Sequence, residues 1–458
     1  FSSGASCPTA GAPTPPLIGA ALDASALSDE GNNVFEVTLN VRVEGAAFAE
    51  LFDVQATLDL ATKFGTLQGN VGAVDAPGEY FVSVGAINSA GVTGGNTGFV
   101  ANPGYTGAAG NTTLLNPAQP GSLEPEDFII VPLTVTFFPS AANAPYTLQF
   151  TASGDSTANG VANGDVTDLS TQGTDPDDNG DIPGNDLDTD PTNTNSLTPV
   201  NLLSVLTPFA CTNDLYIDVN IPSQFNRIDF GTSSFVPIGG TAHGVTTNGI
   251  GYHQGSNLIY GLEFLTDRLL AQDANGTIAV LGSVTGLPAG AYGSGDFVGN
   301  DYYVLLFPTN QLYRVDITNR TATLVGSGTA LGDVFEFATN PLDGQLYGVR
   351  DGTREIVRIN PATAATTTLG TANTTGSAID AVFFDNAGTF YVYQSSDGGV
   401  FRLDVNSGVA TRLVTIAPTA LAGGASCSSA PAPFAIEVGT AMDPVSYTHL
   451  TLPTNREV

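Results

Sequence analysis

A repeating unit of about 44 residues constrains the fold of the second half of this chain more than any other feature. A tyrosine recurs at intervals of 44, 43, 44 and 44 residues, and an arginine stands eleven positions after four of the five tyrosines. Each unit contains four short hydrophobic segments separated by polar turns, which is typical of one blade of a β-propeller. The sequence therefore predicts a five-bladed β-propeller over residues 211–430. The tyrosines are Tyr216, Tyr260, Tyr303, Tyr347 and Tyr391, and the residues eleven positions on are Arg227, Ala271, Arg314, Arg358 and Arg402. We expect the tyrosines to pack between blades and the arginines to make polar contacts along the ring.

The first repeat lacks the leading strand that the later repeats have, so another part of the chain must supply it. Residues 423–428 follow the fifth repeat where a sixth leading strand would begin. We expect this C-terminal strand to pair beside residues 214–219 and close the propeller. When the repeats are aligned, closure would place Cys427 and Cys211 three positions apart, which is within disulfide reach. The sequence therefore predicts a Cys211–Cys427 disulfide and an unpaired Cys7.

The two ends of the chain resemble each other. Residues 4–7 (GASC) recur as residues 424–427, and half of the twenty positions aligned by this shift are identical. We interpret this as a tandem module of about 420 residues, so the chain is expected to be a fragment of a longer protein. Residues 1–14 would then end an upstream propeller-like module, and residues 431–444 would begin the next sandwich. The final segment, residues 445–458, resembles translated sequencing-adapter sequence and is excluded from fold reasoning.

The first half of the chain alternates apolar and polar residues over several segments, without helical periodicity. Examples are residues 34–44, 128–138 and 146–152. The chain also contains 54 glycines and a single lysine, a composition that disfavours long helices. Long amphipathic strands joined by polar, glycine-rich loops favour a β-sandwich. We predict an Ig-like β-sandwich over residues 15–208, which makes the whole chain all-β.

An acidic loop at residues 163–195 contains the motif DPDDNGDIPGND, whose spacing fits a calcium-binding loop. Side-chain oxygens at its first, third and fifth positions can face one centre, the seventh position offers a backbone carbonyl, and a carboxylate at the twelfth closes the shell. Two features depart from an EF-hand, since the twelfth position is Asp and prolines replace the flanking helices. A solvated acidic linker is the alternative interpretation. The predicted Ca²⁺ ligands are Asp175, Asp177, Asn179, Asp181 and Asp186.

Two longer motifs resemble known families. The segment VTDLSTQGTDPDDNGDIPGNDLDTDPT resembles the acidic end of the Ig-like conserved repeat domains of giant bacterial surface proteins. The pattern LYGVRDG, IVRINPATA and GASC resembles a propeller family of uncharacterised function in the same kind of protein. Together the two resemblances imply modules that are secreted or displayed at the bacterial cell surface, and they imply no activity.

The charge balance excludes several classes of partner. The chain has 44 acidic against 12 basic residues and a formal net charge of −32. Such a surface repels phosphate backbones and anionic lipids, so no nucleic acid is expected as a partner. No stretch approaches the roughly 20 apolar residues of a membrane helix, so no membrane insertion is expected in this segment. The expected partner is a protein or a glycan at the cell surface.

Few residues suggest catalysis, because no nucleophile and base stand in a recognisable pattern. Four polar residues near the starts of leading strands could ring one mouth of the propeller and hold a metal, as in propeller lactonases. Strand-initiating turns use the same residue types without any function. We therefore predict a non-enzymatic extracellular module for spacing and adhesion, with a metal-dependent hydrolase or a carbohydrate-binding module as alternatives. The four residues are Asn248, Asp296, Asp333 and Asp380.

Overall fold

The computed structural model of this 458-residue chain describes most of the two predicted regions. Strands dominate these residues, which confirms the all-β class. Helical structure among them is restricted to one four-residue α-helix, α1 (Ala61–Phe64), and three short 3₁₀ turns. None of these helices has the length and apolar character needed to cross a membrane. The described residues are 17–46, 49–94, 98–140, 143–157, 166–174, 176, 196–239, 245–374 and 378–434. The 3₁₀ turns are Val71–Ala73, Leu202–Val205 and Thr329–Leu331.

The N-terminal region contains eleven strands among its described residues. Six of them form one sheet in the order β10-β1-β2-β6-β5-β4, in which the β1–β10 and β4–β5 pairs are parallel. Three others form the sheet β3-β8-β9, and β11 pairs with β7. The strands are β1 Leu17–Gly31, β2 Val34–Ala46, β3 Phe52–Thr57, β4 Thr66–Leu67, β5 Glu79–Val84, β6 Phe128–Phe138, β7 Thr147–Leu148, β8 Thr151–Asp155, β9 Val166–Leu169, β10 Thr171–Gln172 and β11 Thr198–Pro199.

The core of this region follows from the alternation seen in the sequence. Every second residue of β6 from Ile129 to Phe137 is fully buried, because successive side chains of a strand point to opposite faces. The ring of Phe137 lies 4.6 Å from that of Phe64 on α1 and 5.4 Å from that of Tyr146, measured between centroids. Buried residues of the six-stranded and three-stranded sheets belong to one core.

Five four-stranded antiparallel sheets follow, and four of them are built from consecutive strands. Sheet 1 contains β12 Leu215–Val219, β13 Gln224–Asp229 and β14 Ser234–Pro237. Sheet 2 contains β15 Thr247–His253, β16 Leu258–Glu263, β17 Arg268–Gln272 and β18 Ile278–Ser283. Sheet 3 contains β19 Ala291–Val298, β20 Asp301–Phe307, β21 Gln311–Asp316 and β22 Thr321–Ser327. Sheet 4 contains β23 Val334–Thr339, β24 Leu346–Arg350, β25 Glu355–Ile359 and β26 Thr366–Thr371. Sheet 5 contains β27 Ile379–Phe384, β28 Phe390–Gln394, β29 Gly399–Leu403 and β30 Ala410–Thr415, and β31 Ala422–Ser426 completes sheet 1.

One edge strand from each of the five sheets takes part in a closed circle, which makes the arrangement propeller-like. These strands are β15, β19, β23, β27 and β31: each contacts the next in this order, and β31 contacts β15. We call these five strands the inner strands. The C-terminal strand thus occupies the inner position of sheet 1, as predicted, and pairs antiparallel with β12 from Ala422 opposite Val219 to Ser426 opposite Leu215.

A disulfide joins the two ends of the circle. Cys211 and Cys427 are bonded across 216 residues of sequence, with their Cα atoms 5.4 Å apart. Cys427 directly follows β31, and Cys211 precedes β12. The predicted pairing is confirmed, and the covalent bond holds the last inner strand to the first sheet. Cys7 lies outside the described residues.

The five tyrosines occupy equivalent positions, as predicted. Each lies directly opposite the residue eleven positions further on in the neighbouring strand. They also pack between sheets: the ring of Tyr216 stacks on Tyr252 of sheet 2 at 6.4 Å, and Tyr260 meets Phe297 of sheet 3 at 5.6 Å. Tyr347 likewise meets Phe384 of sheet 5 at 5.4 Å, so the tyrosine period in the sequence reports an aromatic contact between sheets at three of the five steps.

The arginines behave differently from the prediction in two of the sheets. Arg227 forms an ion pair with Asp214, and Arg314 forms one with Asp301, at 3.2 and 3.7 Å. Both pairs lie within one sheet rather than along the ring. The acid stands two residues before the tyrosine, so cross-strand register brings it beside the arginine. Exposed pairs of this kind contribute at most about 1 kcal/mol each.

The N-terminal region and the ring are joined by direct contacts. Thr277 Oγ1 donates a hydrogen bond to Asp29 Oδ2, and the backbone N–H of Ile278 donates to Asn33 Oδ1, both at 2.9 Å. In the connecting segment, the N–H of Thr207 donates to Asp273 Oδ2 at 2.9 Å. One hydrophobic cluster extends from the N-terminal sheets into sheets 2 and 3. The two regions therefore share a core across their junction.

Candidate functional site

The inner strands approach one another so closely that glycine is required at several points. A Cβ atom on Gly295 of β19 would lie 1.7 Å from the carbonyl oxygen of Gly249 in β15, which no side chain permits. One on Gly251 would lie 2.8 Å from the Cα of Asp296. Five inner strands thus enclose a narrow centre, and the few polar side chains that reach it are strongly desolvated.

Three carboxylates lie on neighbouring inner strands. Asp296 of β19 stands opposite Tyr303 in register. Glu336 lies in the irregular part of β23, where the register shifts between Val334 and Phe337, and Asp380 lies in the corresponding irregularity of β27. We call Asp296, Glu336 and Asp380 the central carboxylates.

Glu336 is the most buried of the three, with 1% of its surface exposed. Neither carboxylate oxygen accepts a hydrogen bond of ordinary geometry from the described residues. A Cβ atom on Gly423 of β31 would lie 3.1 Å from Glu336 Oε1, so Glu336 reaches the inner strand of sheet 1. Burial, followed by the charges of Asp296 and Asp380, raises the pKa of Glu336 well above its ordinary value. Burial and the two neighbouring acids therefore favour the protonated form of Glu336.

The other two central carboxylates have partners. Oδ2 of Asp296 accepts a hydrogen bond from the backbone N–H of Thr339 at 2.6 Å. Burial nevertheless raises the pKa of Asp296 to about 7, because desolvation outweighs the hydrogen bonds to the charged form. Burial also raises the pKa of Asp380, whereas a hydrogen bond with the Ser395 side chain lowers it. Burial at the centre of the ring therefore favours the protonated forms of these acids.

A fourth buried acid lies beside this cluster. Asp218 of β12 is 2% exposed, stands opposite Gly423, and has no hydrogen-bond partner for either oxygen among the described residues. Burial raises the pKa of Asp218 to about 8. The residues two positions after the tyrosine in the other sheets are Leu262, Leu305, Val349 and Tyr393. Asp218 therefore places an acid where the repeat otherwise buries an apolar or aromatic side chain.

The structure places three of the four predicted mouth residues on inner strands. Asn248, Asp296 and Asp380 lie on β15, β19 and β27. Asp333 lies directly before β23, in an exposed turn with a φ of 61°. Glu336, three residues later, faces the centre instead. An acid inside the otherwise apolar segment VFEFA was the available signal, because a charged residue in a buried strand is unusual.

No group of three or more His, Cys, Asp or Glu side chains in the described part of the chain could hold a metal ion. His253, on β15, instead contacts Ser256 Oγ through Nδ1 at 2.9 Å and Asn300 Oδ1 through Nε2 at 3.3 Å. The arrangement can bind and release protons, but it shows no nucleophile beside a base.

The predicted calcium ligands cannot be compared with the structure. All five of them lie outside the described residues, as does most of the acidic loop. They are Asp175, Asp177, Asn179, Asp181 and Asp186.

Residues 217–429 match the family described as a repeat of unknown function (DUF6923). The match begins within β12 and ends just after β31, so it covers all five sheets and the closing strand. The description assigns no activity. No match was found among curated proteins.

Several solved structures are similar at low identity. A chain of the nidogen/laminin complex is 17% identical, with a TM-score of 0.34, over 48% of this chain and 82% of that chain. Virginiamycin B lyase from Staphylococcus aureus is 14% identical, with a TM-score of 0.29, over 41% of this chain and 62% of the lyase. Hydrazine synthase from Kuenenia stuttgartiensis is 15% identical, with a TM-score of 0.28, over 35% and 47%. This chain spans less than two thirds of the last two, and none of these similarities identifies a function for it.

Proposed function

We propose that this chain is a non-enzymatic module of a repetitive extracellular protein at the bacterial cell surface. In this proposal an Ig-like β-sandwich and a five-bladed β-propeller form one rigid spacer that also presents an interaction surface. The observation that carries it is the junction, where one hydrophobic cluster extends from the N-terminal sheets into the ring. The Cys211–Cys427 disulfide supports an oxidising, extracellular location.

A shared core favours rigidity for a physical reason. Domains that meet through small polar interfaces move relative to each other, whereas domains that share buried apolar surface do not separate without exposing it to water. Thr277, on the ring side, adds a directional contact to Asp29 across the same junction. Modules of this kind, joined in tandem, would keep an extended array at a fixed spacing.

We expect calorimetry to show one unfolding transition for the sandwich and the propeller together. Thr277→Val removes the hydrogen bond to Asp29 and should lower the free energy of unfolding by about 1 kcal/mol without splitting the transition. Thr367→Val, at an exposed position of β26, is the matched control and should leave stability unchanged. Two separate transitions in the unmodified protein would contradict the rigid module.

A metal-dependent hydrolase is the second candidate, because three acids lie on neighbouring inner strands, although the described residues form no group of three acids placed to hold a metal ion. Hydrolysis of lactone and ester substrates with added Ca²⁺, Mg²⁺, Mn²⁺ or Zn²⁺ distinguishes the two proposals. If the chain is a non-enzymatic module, the rate of hydrolysis should not exceed the protein-free background. A metal-dependent rate that is lost in Glu336→Gln and kept in Asp333→Asn would establish the hydrolase instead.

We also propose that the acidic loop at residues 163–195 binds calcium and stiffens the module. The support is the ligand order in the sequence, and the expected dissociation constant is weak, roughly 0.1–1 mM, as in extracellular modules. Calorimetric titration with millimolar Ca²⁺ should give heat for the unmodified protein and none for Asp177→Ala. Asp75→Ala removes an exposed acid elsewhere and serves as the charge-matched control. Equal heats from the two variants would leave only a solvated acidic linker.

A further inference from the structure

A pocket of about 440 Å³ opens where the inner strands end. Sites for small molecules are commonly clefts of roughly this size with a few convergent polar groups. Segments at the ends of β15, β19, β23 and β31 build it, so it exists only in the closed ring. Its polar lining includes Gln254, Asp296, Asn300, Thr339, Asn340 and Ser428.

Two amide side chains in this pocket are held in place by their oxygens. Asn340 Oδ1 accepts a hydrogen bond from the backbone N–H of Leu342 at 3.0 Å. Asn300 Oδ1 meets His253 Nε2 at 3.3 Å. Each contact uses the amide oxygen and leaves the amide N–H groups as donors for a ligand. The pocket therefore offers fixed donors.

The same pocket offers acceptors. Asp296 Oδ2 accepts a hydrogen bond from the backbone N–H of Thr339, which orients the carboxylate. Thr339 is 8% exposed, and its Oγ1 is not in hydrogen-bond geometry with any described group, although it lies near enough to Asp296 to lower the pKa of that carboxyl. The acceptor that lines the pocket is therefore the carboxylate of Asp296.

The wall formed by the closing segment is pre-organised. Gln254 Nε2 donates a hydrogen bond to Ser428 Oγ at 2.9 Å, and Ser429 Oγ donates to Gln254 Oε1 at 2.6 Å. These bonds tie the segment after β31 to the end of β15. Binding then requires little ordering of the pocket, which favours affinity.

The chemistry of the lining selects among ligand classes. None of the described residues that line the pocket is Lys, Arg or His, so the pocket does not suit phosphate or carboxylate. A metal ion needs several acidic ligands, and Asp296 is the one carboxylate among the described lining residues. An ammonium group needs acceptors alone, whereas this site combines acceptors with amide donors. Hydroxyl groups both donate and accept.

We propose that this pocket binds a neutral saccharide, one sugar residue of a cell-surface glycan. Vicinal hydroxyls would pair with Asp296, Asn300 and Asn340. This inference rests on the proposed interaction role and names its ligand class.

The test uses the full chain and a panel of methyl glycosides of glucose, galactose, mannose and N-acetylglucosamine. Ligand-observed NMR at about 10 mM detects the dissociation constant near 1 mM that a single sugar is expected to have. At least one glycoside should bind, and Asp296→Asn and Asn340→Ala should each weaken binding by about tenfold. Asn386→Ala, at an exposed turn of sheet 5, is the control and should bind normally.

Three results would overturn the assignment. The first is that no glycoside binds the folded protein. The second is binding that both pocket variants leave unchanged while their thermal transitions match the unmodified protein. The third is competition for the pocket by inorganic phosphate or ethylamine in place of a sugar. A negative titration leaves the single calorimetric transition intact, so failure of this assignment is distinguishable from failure of the rigid module.

Discussion

Removal of the Cys211–Cys427 disulfide is expected to lower the free energy of unfolding by about 2–5 kcal/mol. The bond spans 216 residues, and in the loop-entropy description a cross-link of that length restricts the unfolded chain by on the order of 5 kcal/mol, with smaller values common in practice. The loss should fall first on β31, the inner strand supplied by the opposite end of the chain. Urea unfolding of the Cys211→Ser/Cys427→Ser variant measures the change.

Cys7→Ser is the matched control, because it removes a thiol without touching the disulfide. It should unfold like the original protein. Alkylation without reductant, followed by mass spectrometry, should label Cys7 alone. Hydrogen exchange at residues 422–426 should accelerate in the double variant more than exchange in β27. Equal urea midpoints for the double variant and the control would show that backbone pairing alone closes the ring.

Stability is expected to fall as pH rises from about 5 to 8, because buried acids are protonated in the folded chain and ionised in the unfolded chain. The folded pKa is about 8 for Asp218 and about 7 for Asp296, and it is well above the ordinary value for Glu336. A raised folded pKa gives stability that is complete below the unfolded pKa and is lost as pH rises through the folded pKa. Each group contributes a slope of about 1.4 kcal/mol per pH unit between those limits.

Several aspartates in turns have lowered pKa values and act in the opposite direction. Asp229, Asp316 and Asp404 each accept backbone hydrogen bonds in turns, which favours the charged form. The stability that they contribute is complete above their unfolded pKa and is lost only as pH falls through their lowered folded pKa. Between about pH 5 and 8 the buried acids therefore set the sign of the dependence.

Urea unfolding at several pH values, with one variant per acid, measures this dependence. Glu336→Gln and Asp218→Asn each remove one titrating group. Each should reduce the slope of the free energy of unfolding against pH by about 1.4 kcal/mol per pH unit. Asp333→Asn changes an exposed acid three residues from Glu336 and should leave the slope unchanged. Parallel slopes for Glu336→Gln and the original protein would mean that Glu336 is ionised in the folded ring.

Much of the ring could be predicted from the sequence because the information is local and repeated. The position of each tyrosine opposite the residue eleven places later follows from strand length and a short turn, and both recur in every unit. The missing first strand in the opening repeat indicated the closing pair of β31 with β12, and hence the bond between Cys211 and Cys427. Counting repeats was sufficient for these features.

The side chains at the centre of the ring could not be located in the same way. The register shift of β23 between Val334 and Phe337 changes which side chain faces the centre, and it favours Glu336 over the predicted Asp333. A pattern with a period of two residues cannot locate a one-residue irregularity. Asp218 was missed although its strand carried a signal, since the equivalent position in the other sheets is apolar or aromatic.

The sequence by itself determined the four-stranded repeats and the closure of the ring, since these depend on alternation and spacing along the chain. Only the tertiary structure decided which acids are desolvated and where a pocket opens. Gln254, Asp296, Asn340 and Ser428 belong to four segments far apart in sequence, and they meet because five inner strands converge on one axis. Convergence of that kind is a property of packing between sheets, which no single repeat contains.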